Sequence, residues 1–195
     1  MKFDVSTEWR NFKDALVQEL KATPLTDFES IWGTEKSPKM RTNFYKTKLV
    51  PNVAARLGYN NFKPEFLRVD YCILNGDGVP VAFVESEHSV ESAIHETDKL
   101  CAVSSPVKVL FLCCPWADGD REKFLPRWRE RIATHHKYSH QAAVYMLVVG
   151  EWGRGKPCDE ILRYYVESFD TFGNEIEPKE ELNLSAHQST NLLIH

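Results

Sequence analysis

Asn75-Gly76-Asp77-Gly78 stands between two apolar, β-rich runs, Phe66–Leu74 and Val79–Glu85. Asn-Gly and Asp-Gly steps accept the left-handed backbone that a tight hairpin turn demands. The two runs are therefore expected to be adjacent antiparallel strands, with a register fixed by the turn. Gly76 and Asp77 at its centre set Leu74 against Val79, Asp70 against Phe83 and Arg68 against Glu85. Side chains alternate between the two faces of a sheet. Asp70, Phe83, Glu85 and Glu87 then share one face, with Asp70 and Glu85 as diagonal neighbours ~7–8 Å apart. A slip of one residue would move Asp70 to the other face.

The rest of the chain of 195 residues supplies the flanking layers. Trp9, Phe12, Leu16 and Leu20 recur at helical spacing within 6–22. Residues 23–38, with Pro24, Gly33 and Pro38, read mostly as loop. Residues 39–58 read as helix with a break or kink at Pro51 and a stop at Gly58. After the hairpin, helices at 89–103 and 120–136 alternate with strands at 107–114 and 142–149, and 160–169 is a further strand. The expected fold is α/β: a single domain over 1–195 with a central mixed sheet of about five strands flanked by helices. Its core spans about 40–150, and the pattern leaves 151–195 undefined.

The hairpin carries the chemistry. Acids inside apolar strands cost folding energy unless something compensates them. Two carboxylates at the Asp70–Glu85 spacing can share one hard cation, and Mg²⁺ takes one or two carboxylates together with water and substrate phosphate. The bland alternative is that Asp70, Glu85 and Glu87 are solvent-facing acids, with Arg68 paired to Glu85 across the hairpin.

Arg68-Val69-Asp70-Tyr71-Cys72-Ile73-Leu74, the Gly-Asp-Gly turn and Ala82-Phe83-Val84-Glu85-Ser86-Glu87 together resemble the restriction-endonuclease-like PD-(D/E)XK superfamily. They are most similar to the N-terminal nuclease domain of type I restriction subunits. Leu57-Gly58-Tyr59 and the helix leading to Val107–Cys114 fit the same pattern, so the resemblance covers roughly residues 40–114. It implies a restriction-endonuclease-like fold and a deoxyribonuclease. Mg²⁺ or Mn²⁺ would be bound by Asp70, Glu85 and the backbone carbonyl of Ser86. The family's Lys two residues after the Glu is Glu87 here. Some restriction enzymes also carry Glu-x-Glu, in which case Glu87 would bind a second ion or act as a general base. Glu19 and Glu65 are the candidates for the helix-borne Glu that many members use. An inactive nuclease-like scaffold that only binds nucleic acid or protein is the alternative.

A net charge of −4 argues against a uniformly basic nucleic-acid binder. The charge is unevenly placed, however. Residues 36–68 hold eight bases and one acid, interleaved with Phe44, Tyr45, Tyr59, Phe62 and Phe66, and 121–137 hold six bases and two acids. Residues 85–99 hold five acids and one base. Lys46, Lys48, Arg56, Lys63 and Arg68 are accordingly the expected phosphate contacts, DNA the expected partner, and a homodimer is left open.

Other motifs weigh less. Gly150-Glu151-Trp152-Gly153-Arg154-Gly155-Lys156 matches a P-loop pattern, but Pro157 stands where the Mg²⁺-binding hydroxyl belongs, so an exposed glycine turn is expected. His135, His136 and His140 cluster without a cysteine at zinc-finger spacing, and His88 follows the Glu-x-Glu as an expected helix N-terminal residue. Five cysteines without C-x-x-C spacing read as reduced thiols of a cytoplasmic protein. No apolar stretch approaches the ~20 residues of a membrane span, and the N-terminus lacks a signal-peptide core, so no membrane partner is expected.

Overall fold

The computed structural model describes residues 5–32, 38–114, 116–139, 141–152 and 161–184. A seven-stranded mixed sheet, ordered β1 to β7 as in the chain, is flanked by helices on both faces. The strands are β1 Asn61–Phe66, β2 Val69–Leu74, β3 Pro80–Glu87, β4 Val107–Cys113, β5 Val144–Trp152, β6 Leu162–Phe169 and β7 Glu175–Leu184. β3, β4 and β5 run parallel, linked through helices, and the other neighbours are antiparallel.

On one face lie α1 Val5–Ala22, α2 Leu25–Ile31, α3 Pro38–Phe44 and α4 Val50–Arg56. Trp9, Leu16, Phe28, Tyr45 and Val53 pack there against Tyr71, Val84, Val109, Val148 and Tyr164. On the other face, α5 Val90–Ala102 and α6 Arg121–His136 set Leu100, Trp128 and Ile132 against Phe83, Leu110, Tyr145 and Leu147. Such burial is worth roughly 1.5–3 kcal/mol per large side chain. Among the described residues no helix is long and apolar enough to cross a membrane, and Cys72, Cys101, Cys113 and Cys114 are free thiols.

Several expectations need correction. Residues 25–31 are a helix rather than loop: Pro24 is tolerated at the helix start, and Phe28 and Ile31 anchor the short segment in the core. The break expected at Pro51 falls one turn earlier, as a π-helical turn over Tyr45–Leu49 in which the Val50 N–H reaches Tyr45 O. Pro51 then sits in the first turn of α4, where its missing N–H costs nothing. The run from Phe66 to Leu74 is not one strand. Phe66 pairs with Val69 across a two-residue turn, Leu67-Arg68, with φ of 55° and 65°. Both values are left-handed, a type I′ turn made without glycine, and each costs about 1–2 kcal/mol. The undefined region beyond 170 supplies β7.

The β2–β3 register is also corrected. Tyr71 lies opposite Val84 and Cys72 opposite Phe83, with an irregularity between Ile73 and Leu74. Asn75 holds the loop, its side-chain oxygen accepting from the N–H groups of Asp77 and Val79, so the turn is one step wider than expected. Continued by one rung, this register sets Asp70 against Glu85, in place of Phe83, and leaves Arg68 in the turn rather than opposite Glu85. The shift is two residues, so face parity survives.

In the P-loop-like motif, Gly150 lies within β5, where a Cβ would come 2.5 Å from the Trp32 ring. It is a packing glycine. The expected glycine turn at 153–157 lies outside the described residues, as does His140.

Candidate active site

The strand ends of β2 and β3 form the floor of a cleft of about 410 Å³, walled by α3, the π-helical turn and α5. Asp70 Oδ2 accepts from the Ser86 N–H at 3.1 Å, which locks the carboxylate beside β3. Its Oδ1 lies 3.1 Å from Lys46 Nζ, and Lys46 also bonds Glu65. The wide turn over 45–49 carries Lys46 while it buries its neighbour Tyr45. The Thr42 and Ser86 hydroxyls meet at 3.3 Å.

Glu85 is 2 % exposed, and its Oε1 has no hydrogen-bond partner. Lys99 Nζ is 3.6 Å from that oxygen and is itself ion-paired to Glu96. Burial first, then the charges of Asp70 and Glu96, push the Glu85 carboxyl up to about 9, with Lys99 pulling the other way. Burial acts to lower the pKa of Lys46, but its bonds to Glu65 and Asp70 raise it on balance. The pKa of Lys99 is raised through Glu96 and Glu85 in the same way.

Helix α5 starts at Ser89, whose side chain accepts from the Glu91 N–H, a cap worth about 1 kcal/mol. Ser92, Glu96 and Lys99 form one stripe along this helix. Ser92 donates to Glu87 at 2.9 Å, and Glu96 and Lys99 meet Glu85. Glu87 also accepts from the His88 N–H, so its carboxylate braces the start of α5 while lining the cleft.

The five expected phosphate contacts do not form one group. Lys46 is inside the cleft. Lys48 is ion-paired to Asp27 in α2, and Arg56 to Glu19 in α1 at 2.6 Å. Lys63 lies over the Phe66 ring at 5.1 Å, and Arg68 is exposed in the β1–β2 turn. Phe44 and Tyr45 are core residues, whereas Phe62 is 46 % exposed. Of the two candidates for a helix-borne Glu, Glu19 is taken up by Asn52 and Arg56, and Glu65 belongs to β1, not a helix, and bonds Lys46. His135 bonds Asp98 and His136 bonds Tyr145. Sequence reasoning missed Glu96 and Lys99. Their signal was the spacing 92–96–99, a polar stripe along the one helix that follows Glu-x-Glu.

Among the described residues no group of three or more Asp, Glu, His or Cys side chains is gathered so that it could hold a metal ion. The donor set that does converge, two carboxylates with one unpartnered buried oxygen, fits Mg²⁺, which takes few protein ligands and completes its shell with water and phosphate. Searches with the sequence add no kinship to this geometry: no family model matches the chain, and none of the curated proteins is significantly similar to it.

Proposed function

We propose that the chain is a metal-dependent phosphodiesterase acting on DNA, of the restriction-endonuclease-like type. The observation that carries this reading is the crowding of buried Glu85 against Asp70 and Glu96 in one cleft, where Lys99 offsets their charge only in part. Gathering carboxylates in a buried cleft is costly for folding alone, and a bound cation would relieve it.

Asp70, Glu85 and the Ser86 carbonyl would hold Mg²⁺ or Mn²⁺. A divalent ion bound there polarises a phosphoryl oxygen and acidifies a water. Glu85 releases its proton as the ion is bound. Lys46 and Lys99, from helices on opposite faces of the sheet, bring to the phosphate the fixed positive charge that Glu87 cannot supply. Glu87 holds the start of α5 through Ser92 and so sets where Lys99 stands.

One observation favours a second reading, a non-catalytic binding module: Asp70 and Glu85 already have cationic neighbours in Lys46 and Lys99. Incubating supercoiled plasmid with purified protein and Mg²⁺ or Mn²⁺ separates the two. The nuclease reading expects nicking by the wild type and none by Asp70→Ala. Equal behaviour of the two proteins overturns it.

A further inference from the structure

The β1–β2 turn carries two liabilities at one position. Leu67 has a left-handed backbone that leucine rarely adopts, and its side chain is 63 % exposed. Glycine or asparagine would relieve the first, and any polar residue the second. Strain kept together with exposure points to a contact outside the chain.

The turn is also rigidly mounted. Phe66 stacks on Phe83 of β3 with ring centroids 6.1 Å apart and nearly parallel planes. Lys63 Nζ lies 5.1 Å from the Phe66 ring centre, and Arg68 stands exposed beside Leu67. The mount leads into the cleft. Lys46 ties Glu65, just before the turn, to Asp70, just after it. Leu67 is three residues from Asp70, at most about 10 Å of chain, which is roughly three base steps at 3.4 Å each.

We propose that the Leu67-Arg68 turn is a wedge for duplex DNA. Leu67 enters between base pairs within about three steps of the phosphate seated at Asp70 and Glu85, and Arg68 and Lys63 hold the adjoining phosphates. An apolar tip flanked by cations matches stacked bases flanked by phosphates, and a preformed turn loses little entropy on insertion. The location of the wedge rests on the nuclease reading of the cleft, but its contact with DNA can be tested separately.

The probe is a 30-base-pair duplex with one 2-aminopurine per molecule, placed at successive positions across a set, together with a fluorescein-labelled copy for anisotropy. Wild type should raise 2-aminopurine fluorescence at one or a few positions as bases unstack. Leu67→Gly should fold at least as stably, lose that signal, and bind roughly tenfold more weakly. Leu67→Asn, equally suited to the turn, should behave the same. Arg68→Ala should keep the signal and reduce the salt slope of binding by about 0.9. Unchanged fluorescence and affinity in both Leu67 variants overturns the wedge. Asp70→Ala serves as the separate control. If wild type fails to nick DNA but still unstacks bases through Leu67, the nuclease reading fails and the wedge stands. If wild type nicks while Leu67→Gly binds and unstacks as it does, the wedge alone fails.

Discussion

Glu85 and Glu167 are both buried glutamates on the sheet face covered by α5 and α6, at 2 % and 1 % exposure. Glu167 receives a two-pronged bond from Arg121, at 2.9 and 2.8 Å, and a third from the Trp116 indole. Every demand of that carboxylate is met. Glu85, on β3, has no comparable clamp: one oxygen lacks a geometrically satisfied bond, a second carboxylate lies opposite and a lysine is 3.6 Å away. Burial is the same in both, so burial does not distinguish a functional acid from a structural one. What differs is the company: Glu167 is met by an arginine, whereas Glu85 is crowded by carboxylates, and on the proposed reading that repulsion is what a bound cation would relieve.

The contrast can be broken most sharply by activity. Asp70→Ala and Glu85→Gln should each lower plasmid nicking by at least about a hundredfold, while Glu167→Gln, measured at a temperature where it is folded, should keep most of it. Comparable losses in all three would erase the distinction.

Stability should show the reverse order. Arg121→Ala strands the buried Glu167 and should cost about 2–3 kcal/mol in denaturant titration, reduced from the usual figure because Arg121 is partly exposed. Glu85→Gln is neutral without taking up a proton, so it escapes the cost of protonating Glu85 on folding and should leave the midpoint unchanged or raise it.

A further effect is expected with pH. The Glu85 carboxyl sits near 9 in the folded protein against 4.5 for an ordinary one. The folded state therefore holds a proton that the unfolded state has lost, and its contribution to stability declines as pH rises from about 4.5 to 9. Glu85→Gln should flatten that part of the pH–stability curve. Buried Lys108, bonded to the Tyr145 hydroxyl at 3.1 Å, works in the opposite sense. Burial lowers its pKa to about 8, so stability rises from about 8 to 10.5, a rise that Lys108→Met should remove.

The parts of the fold that were legible were those set by local chemistry. Asn75-Gly76-Asp77-Gly78 announced a hairpin because few residues tolerate that backbone. The turn at Leu67-Arg68 was invisible for the same reason, since nothing in Leu-Arg suggests left-handed φ values. Seven residues of α2 were too few for periodicity to register, and in β7 only Leu182 and Leu184 are buried, so no alternation stood out. Asp70 and Glu85 still line one cleft despite the wrong register, because the error was two residues and parity has period two. Glu96 and Lys99 left only the polar stripe 92–96–99, and the ion pairs of Lys48 and Arg56 depend on how helices dock, which no short window of sequence records.

The sheet follows the order of the chain without exception. Each strand therefore finds its partner already made when it emerges during synthesis, and none waits for a later one. The cleft draws on Thr42, Lys46, Asp70, Glu85, Glu96 and Lys99, so its lining is complete in the chain by α5, while β4, through Leu110 and Phe111, supplies its support next. The Arg121–Glu167 clamp spans 46 residues further along and closes afterwards. Vectorial growth thus assembles the strained, under-bonded half of the molecule first and fastens the well-bonded half onto it.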